Sequence, residues 1–443
     1  MKVLPTVLFS WLVAGLALGA APAASAYDLL QAYRDALAYD AQLAAARAQL
    51  AATRERVPQA QAGLKPSVAG SVNLTQQYNS VDNPNTGTND SDYLAQQYAV
   101  QLSYPLYRLQ NVEAVEQSKL SVSLGELQFA EAEQDLVLRV AEAYFDVLAA
   151  QDNLGAIQAQ KRAISEQLAA AKRNFEVGTT TITDQQEAQA RFDLVTAQEI
   201  AASNQLDTRR SALVVLTGKT VAEIDLLRAG VTLAAPQPAS DRAWIEQARA
   251  SNLTVQQAQA ASEIAKREID RQRYTGRPTV DLVSSLSHVR NASSSVPGLN
   301  VSGATIGLQV AIPLYTGGAV DARVREAIAL YDRSQRDLEN ARRQADQAAR
   351  QLYSTLMAGL AQVSALEAAE RSSQLALESN QLGYEVGVRI NIDVLNAQQQ
   401  LYTTQRDLAS ARYGVIVGGL RLRRVAGSLG ESDLNAVNAL LGE

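Results

Sequence analysis

Cysteine is absent from the 443 residues. That excludes disulfides and thiolate metal sites, and it leaves no thiol behind the N-terminal leader to carry a lipid. Histidine occurs once, at His288, so neither a paired-His site nor an HExxH spacing can hold a metal. Bulky aromatics are scarce, with 5 Phe and 2 Trp. Such Ala- and Gln-rich sequence suits long helices better than thick globular cores. Beyond the first two dozen residues no apolar run reaches the roughly 18 to 20 residues of a spanning helix. A basic surplus is missing too: 40 Lys and Arg stand against 46 Asp and Glu, which argues against nucleic acid as a partner. TGKT at 217–220 ends like a phosphate-binding loop, but the earlier Gly it needs is Leu213 and a helix precedes it rather than a strand. No catalytic constellation, cofactor site or metal site is legible, so the chain is not read as an enzyme.

The start of the chain has its own chemistry. Lys2, an apolar run from Val3 to Ala20, and Ala24-Ser25-Ala26 before Tyr27 read as a secretory signal peptide over residues 1–26. The remainder then leaves the cytoplasm without a helical anchor.

That remainder is one unit written twice. YEVGVRINIDVLNAQQQLY at 384–402 resembles FEVGTTTITDQQEAQARFD at 175–193, and VQLSYPLY, GLKPSVAGSVNL and AYDAQLAAARAQLAA find partners at offsets of 208 to 212. Each copy reads helix, strand, loop, strand, long helix, turn, helix. The first copy spans 27–216 and the second 244–426. Between them, 217–243 is a linker or equatorial segment containing Pro236 and Pro238, and 427–443 is a C-terminal equatorial segment.

Heptads mark the long helices. Leu136, Val140, Ala143, Val147, Ala150, Leu154 and Ile157 alternate steps of four and three, and Ala345, Ala349, Leu352, Leu356, Gly359, Val363 and Leu366 repeat the stripe. This is coiled-coil spacing. From Leu106 to Val177 only Pro-free sequence runs, about 105 Å of helix at 1.5 Å per residue. The shorter helical stretches, 27–64 and 184–216, together match that length.

Four segments alternate instead of following the helical period: Val68 to Leu74, Leu94 to Tyr104, Val280 to Leu286 and Ile306 to Ile312. Pro66 and Pro278 stand where helix becomes strand, Pro105 and Pro313 where strand becomes helix. The lengths suit tilted strands crossing a bilayer, with NSVDNPNTGTNDSD and RNASSSVPG as polar outer loops and Tyr104, Tyr107 and Tyr315 as a girdle at the other end. A soluble sandwich with one wet face would show the same alternation. Four strands cannot close a membrane barrel, so in lipid the chain must oligomerise.

On the YEVG passage, the LKPS and IPLYTGG junctions and the doubled plan, the chain from 27 to 443 resembles the TolC family of outer-membrane channel proteins, in its branch without a lipid anchor. The resemblance implies a membrane β-barrel plus a long α-helical barrel: a homotrimer sharing one twelve-stranded barrel in the outer membrane of a Gram-negative bacterium, with the helical barrel in the periplasm. It implies a passive exit duct for small molecules or type I protein secretion, completed by a periplasmic adaptor (membrane fusion) protein and an inner-membrane transporter, ABC or proton-driven, with outer-membrane lipid around the strands. The alternative is a soluble periplasmic coiled-coil adaptor or scaffold, which would keep the heptads but have no use for lipid-length strands.

The resemblance also assigns the tips. Gly178 and Gly387, with Val177 and Val386, form the turns that contact the adaptor, and Gly suits the left-handed cap there. Thr183 with Gln186 resembles a capping box for the next helix. Tyr384 and Arg389 of the second tip are expected to latch onto Asp184 and Arg173 of the first. Arg173 replaces the family's Gln, and two facing arginines repel. Asp393 matches an acidic constriction position. Asn396 stands where a second acid is expected, leaving one carboxylate ring rather than two.

Overall fold

The structure is a computed structural model that describes residues 27–84, 87–220, 223–228, 230–291, 296 and 298–442. The signal-peptide reading of 1–26 lies outside the described residues, as does most of the loop at 290–298. Element order repeats. First come helices α1 (Leu29–Tyr39), α2 (Ala41–Arg54) and α3 (Arg56–Ala62), strands β1 (Ser67–Asn83) and β2 (Gly87–Tyr107), then helices α4 (Leu109–Glu176) and α5 (Ile182–Thr217). The second series is α6 (Asp241–Ser251), α7 (Leu253–Tyr274), β3 (Thr279–Arg290), β4 (Val301–Ala311), α8 (Ala319–Glu385) and α9 (Asn391–Val425), and α10 (Glu431–Asn438) follows.

The long helices set the dimension. α4 has 68 residues and α8 has 67, about 100 Å each at 1.5 Å per residue. Every member of both heptad stripes is buried or half-buried. α4 pairs with α5, α8 with α9, and α7 packs between α4 and α8 in the half nearer the sheet. The 36 residues of α5 with the 11, 14 and 7 of α1, α2 and α3 equal the length of α4, so the stacked short helices keep pace with the long one.

The stacking joints are built alike in both copies. At Asp40 the backbone leaves the helix, and its carboxylate accepts from the Leu43 amide at 2.7 Å to start α2. Asn252 does the same between α6 and α7, accepting from Val255 at 3.1 Å. Asp40 also receives both terminal guanidinium nitrogens of Arg139, at 2.9 and 3.2 Å. That hydrogen bonding holds the Asp40 carboxyl below the usual carboxylate range, against the opposing effect of burial. α5 and α9 end against these joints at Gly218 and Gly427, both with φ +70°. A Cβ on Gly218 would lie 2.7 Å from the Tyr39 ring, and one on Gly427 would lie 2.0 Å from the Ser251 carbonyl oxygen.

Around the waist, Tyr144 is fully buried, and its hydroxyl is shared between the carbonyls of Tyr27 at 2.9 Å and Asp225 at 3.1 Å. Leu29, Ile224, Leu434 and Leu441 belong to the same core cluster. Single bridges Tyr27 with Ile224 and Leu227 with Leu441 bring the first strand-like residues, the inter-copy segment and the C-terminal segment into one belt.

The four strands form one antiparallel sheet in the order β1-β2-β3-β4. Its register puts Val68, Val72, Leu102, Leu282, Leu286, Ile306 and Leu308 on one face and Ala69, Asn73, Gln101, Asp281, Ser285 and Gln309 on the other. The apolar face is bare in one chain, with Ile306 77% exposed. β1 and β4 each pair on one side only, so both carry an unpaired edge. Among the described residues no helix is long and apolar enough to cross a membrane; that has no bearing on these strands.

Two expectations change here. The stretch 79–92, read as a loop, is largely ladder: Asn79 faces Ser91 and pairing continues to Asn83 and Gly87, giving strands of 17 and 21 residues. Both faces of this extension carry polar residues, so no alternation marks it in sequence. Pro105 lies inside β2, opposite Asp281 at an irregularity between Pro105 and Tyr107, and α4 begins at Leu109 rather than Leu106.

The joints give a stability test. Gly178 has φ +79° and open space around its absent Cβ, so Gly178→Ala should cost only the left-handed penalty of about 1–2 kcal/mol. Gly427→Ala must in addition push the Ser251 backbone aside. In thermal unfolding of the detergent-solubilised protein, Gly427→Ala should lower Tm by several degrees more than Gly178→Ala; equal shifts would contradict the stacked-joint reading.

Candidate functional site at the helical tips

Both long helices end in the same turn. In the first tip Gly178 donates to Phe175 at 3.0 Å and Thr179 to Asn174 at 2.8 Å; in the second Gly387 donates to Tyr384 at 3.1 Å and Val388 to Gly383 at 2.9 Å. This is the Schellman pattern, and φ of +79° and +78° at Gly178 and Gly387 is the left-handed cap it requires. Val177 and Val386 beside them are exposed, as are Val388 and Ile390.

The following helices start differently. Thr181 is the N-cap of α5: its hydroxyl accepts from the Asp184 amide at 3.3 Å, and the Asp184 carboxylate takes the Thr181 amide at 3.1 Å. The capping box is therefore Thr181 with Asp184, not Thr183 with Gln186, because the helix begins two residues earlier than the latter pair requires. In the second tip the matching positions are Ile390 and Asp393. Ile390 has no hydroxyl to offer, so the Asp393 carboxylate is left for Arg389, 3.7 Å away on the same turn. Gly383 makes room for this, since a Cβ there would sit 2.7 Å from the Arg389 Cγ. An exposed pair at such a distance contributes at most about 1 kcal/mol and opens readily.

Within one chain no hydrogen bond or ion pair among the described residues joins any two of Tyr384, Arg389, Asp184 and Arg173. Asp184 is engaged by its own cap, and Arg389 by Asp393. Arg173 is exposed. Tyr384 packs beside the buried cluster of Leu377, Val394 and Leu401, and its hydroxyl is enclosed without a partner among the described residues.

What ties the second tip to the first is a set that sequence reasoning passed over. Asn391 is 1% exposed. Its side-chain oxygen accepts from Gln167 on α4, and its Nδ2 lies 3.5 Å from the Asp184 carbonyl on α5. One turn beyond, Arg191 of α5 donates to Gln399 at 2.5 Å and to Asn396 at 3.0 Å, both on α9. Asn396 is thus half of an interhelical contact as well as a neighbour of Asp393. The signal was present in the copy comparison: Asn391 stands where the first copy has Ile182, a polar residue in an apolar position of the repeat.

Higher up, α9 is held to α4 by a second seam. Tyr413 donates to Asp152 at 2.5 Å, and Arg421 meets Glu142 at 2.8 Å. Burial raises the pKa of Asp152, with the Tyr413 hydroxyl acting in the opposite direction. Nothing in either seam is arranged for bond chemistry, and among the described residues no acidic or His cluster could hold a metal. What the arrangement offers is interhelical hydrogen bonding and exposed charge.

Known proteins share this plan. The profile of the family described as Outer membrane efflux protein matches residues 32–219 and 244–428, both copies. The outer membrane protein TolC of Vibrio cholerae is 33% identical over 419 residues, covering 94% of each chain. The alkaline protease secretion protein AprF of Pseudomonas aeruginosa is 31% identical over 437 residues, 98% of this chain and 91% of the relative. The crystal structure of the outer membrane protein VceC from Vibrio cholerae superposes with a TM-score of 0.76 at 18% identity, over 90% of this chain and 96% of that one. A doubled coiled-coil hairpin, four strands long enough to cross lipid and a polar tip without catalytic chemistry agree with these likenesses: the chain belongs to the outer membrane efflux protein family, the TolC-like exit ducts of the outer membrane.

Proposed function

We propose that three copies assemble into one duct, with their twelve strands closing a barrel in the outer membrane and their α4–α5 and α8–α9 hairpins forming a tunnel that ends in six tips. The observation that carries this reading is the pair of unpaired edges, β1 and β4, beside a bare apolar face. In hydrocarbon each unsatisfied backbone group costs several kcal/mol, so the edges must meet other copies. The duct is passive. The exposed tip valines and Ile390 offer a periplasmic adaptor its contact, and an inner-membrane transporter supplies the energy. Relatives named for protease secretion and for efflux support service to either kind of transporter. A soluble scaffold is not favoured, since it would have no use for such strands.

Closure is read from the tip geometry. In each chain the Asn391 link and the Arg191 link hold the second hairpin to the first; a latch between chains would use the exposed Arg173 and, once released from their own turns, Asp184 and Arg389, whereas the Tyr384 hydroxyl is enclosed. Asp393 presents a ring of three carboxylates at the constriction, each partly masked by its own Arg389.

Two measurements test this. Asn391→Ala should remove about 1 kcal/mol of closing contact and raise the open probability several-fold in planar bilayers; an unchanged open probability would put the closing contacts elsewhere. For the constriction, a ring of acidic side chains in a narrow pore traps multivalent cations. Block by a trivalent cation should weaken strongly in Asp393→Ala and strengthen in both Arg389→Ser and Asn396→Asp. Block that survives Asp393→Ala would reduce the aspartate to a residue favoured by the helix start alone.

A further inference from the structure

Basic residues are nearly excluded from the sheet. Between Lys65 and Arg108, and again between Arg277 and Arg323, the chain contains a single Lys or Arg, Arg290. It closes β3 at the end of the sheet away from all the helices. It shares strand parity with Val280, Leu282 and Leu286, so it belongs to the apolar face and not to the polar one. From Val280 to Arg290 is about 33 Å along a strand at 3.3 Å per residue. Tilted by about 40°, that is about 25 Å along the membrane normal, the height of a barrel's apolar band. Arg290 therefore stands at the upper rim of the lipid-facing band.

The row beneath it is polar as well. His288, the only histidine, has the same parity; its Nδ1 lies 2.8 Å from the Ser302 hydroxyl, and its ring lies 6.5 Å from that of Tyr98 on β2. Arg290 is exposed and has no ion pair or side-chain hydrogen bond among the described residues. A guanidinium left free at the edge of hydrocarbon, with a hydroxyl and imidazole row below it, matches a phosphate on a lipid headgroup: the fork donates to the oxygens while the acyl chains lie against Leu286 and Leu282. The acidic groups of the sheet, Asp82, Asp90 and Asp92, lie farther out on the β1–β2 hairpin, and Asp281 lies at the opposite end on the other face.

We propose that Arg290, with His288 and Ser302 beneath it, is a docking point for the phosphate of an anionic lipid in the outer leaflet, one per chain around the barrel. This rests on the strands forming a membrane barrel, so the test keeps the two apart. The whole protein would be reconstituted in phosphatidylcholine nanodiscs containing a minor fraction of rough lipopolysaccharide, and bound glycolipid counted by native mass spectrometry after transfer to detergent. Arg290→Gln should lower retention about fivefold, as loss of one cation near an anionic surface implies. Arg290→Lys should keep most of it, and His288→Gln should fall between. Glycolipid stripped of its phosphates should be retained poorly by every variant. Channel conductance of Arg290→Gln should match the unsubstituted protein, which would leave the barrel reading intact. Equal retention by Arg290→Gln and the unsubstituted protein, or equal retention of the dephosphorylated glycolipid, would overturn the proposal.

Discussion

The structure depends on a requirement of the backbone: in lipid every N–H and C=O must find a partner within the protein. A four-stranded sheet with free edges at β1 and β4 cannot meet that requirement by itself. Closing the sheet with further copies satisfies it, and the same closure decides how many long hairpins stand side by side below. In the proposed assembly the tunnel's symmetry, its number of tips and the charge gathered at its mouth would all follow from how the strand edges are matched.

Below the sheet the constraint is length. Two long helices of nearly equal length need equally long partners, which the chain supplies by stacking short helices end to end. A stack fails where ends do not fit, and this is why both joints carry the same devices: an Asp40 or Asn252 that stops one helix and caps the next, and a Gly218 or Gly427 that lets a neighbouring end approach. Duplication copied the scaffold. The turns of the tips are copied too, but not the helix starts that follow them, where a Thr181 cap satisfies Asp184 but Ile390 leaves Asp393 to Arg389. The same copying event thus yields a self-contained first tip and a second tip whose buried Asn391 reaches across to its partner.

Much of this was legible in sequence because it is periodic or conformational. The heptad stripes from Leu136 and Ala345 mark buried faces, the alternation from Val68 and Ile306 marks strands, and Gly178 and Gly387 mark left-handed turns that few other residues tolerate. What escaped is neither. The outer half of the β1–β2 hairpin carries polar residues on both faces, so Asn79 to Asn83 gives no alternating signal although it pairs. The capping box moved from Thr183 and Gln186 to Thr181 and Asp184 because a helix start is fixed by hydrogen bonds that a short motif matches in more than one register. Arg191 with Asn396 and Gln399, and Asn391 with Gln167, are contacts more than two hundred positions apart, and no local pattern encodes them.

If the free edges are matched by other copies of this chain, the number of chains in a particle is fixed. The most direct measurement is the mass of the particle extracted from the outer membrane in mild detergent, by native mass spectrometry or by light scattering corrected for bound detergent. Three chains per particle are expected, without smaller species at low concentration. A particle of one or two chains that still conducts would contradict that matching.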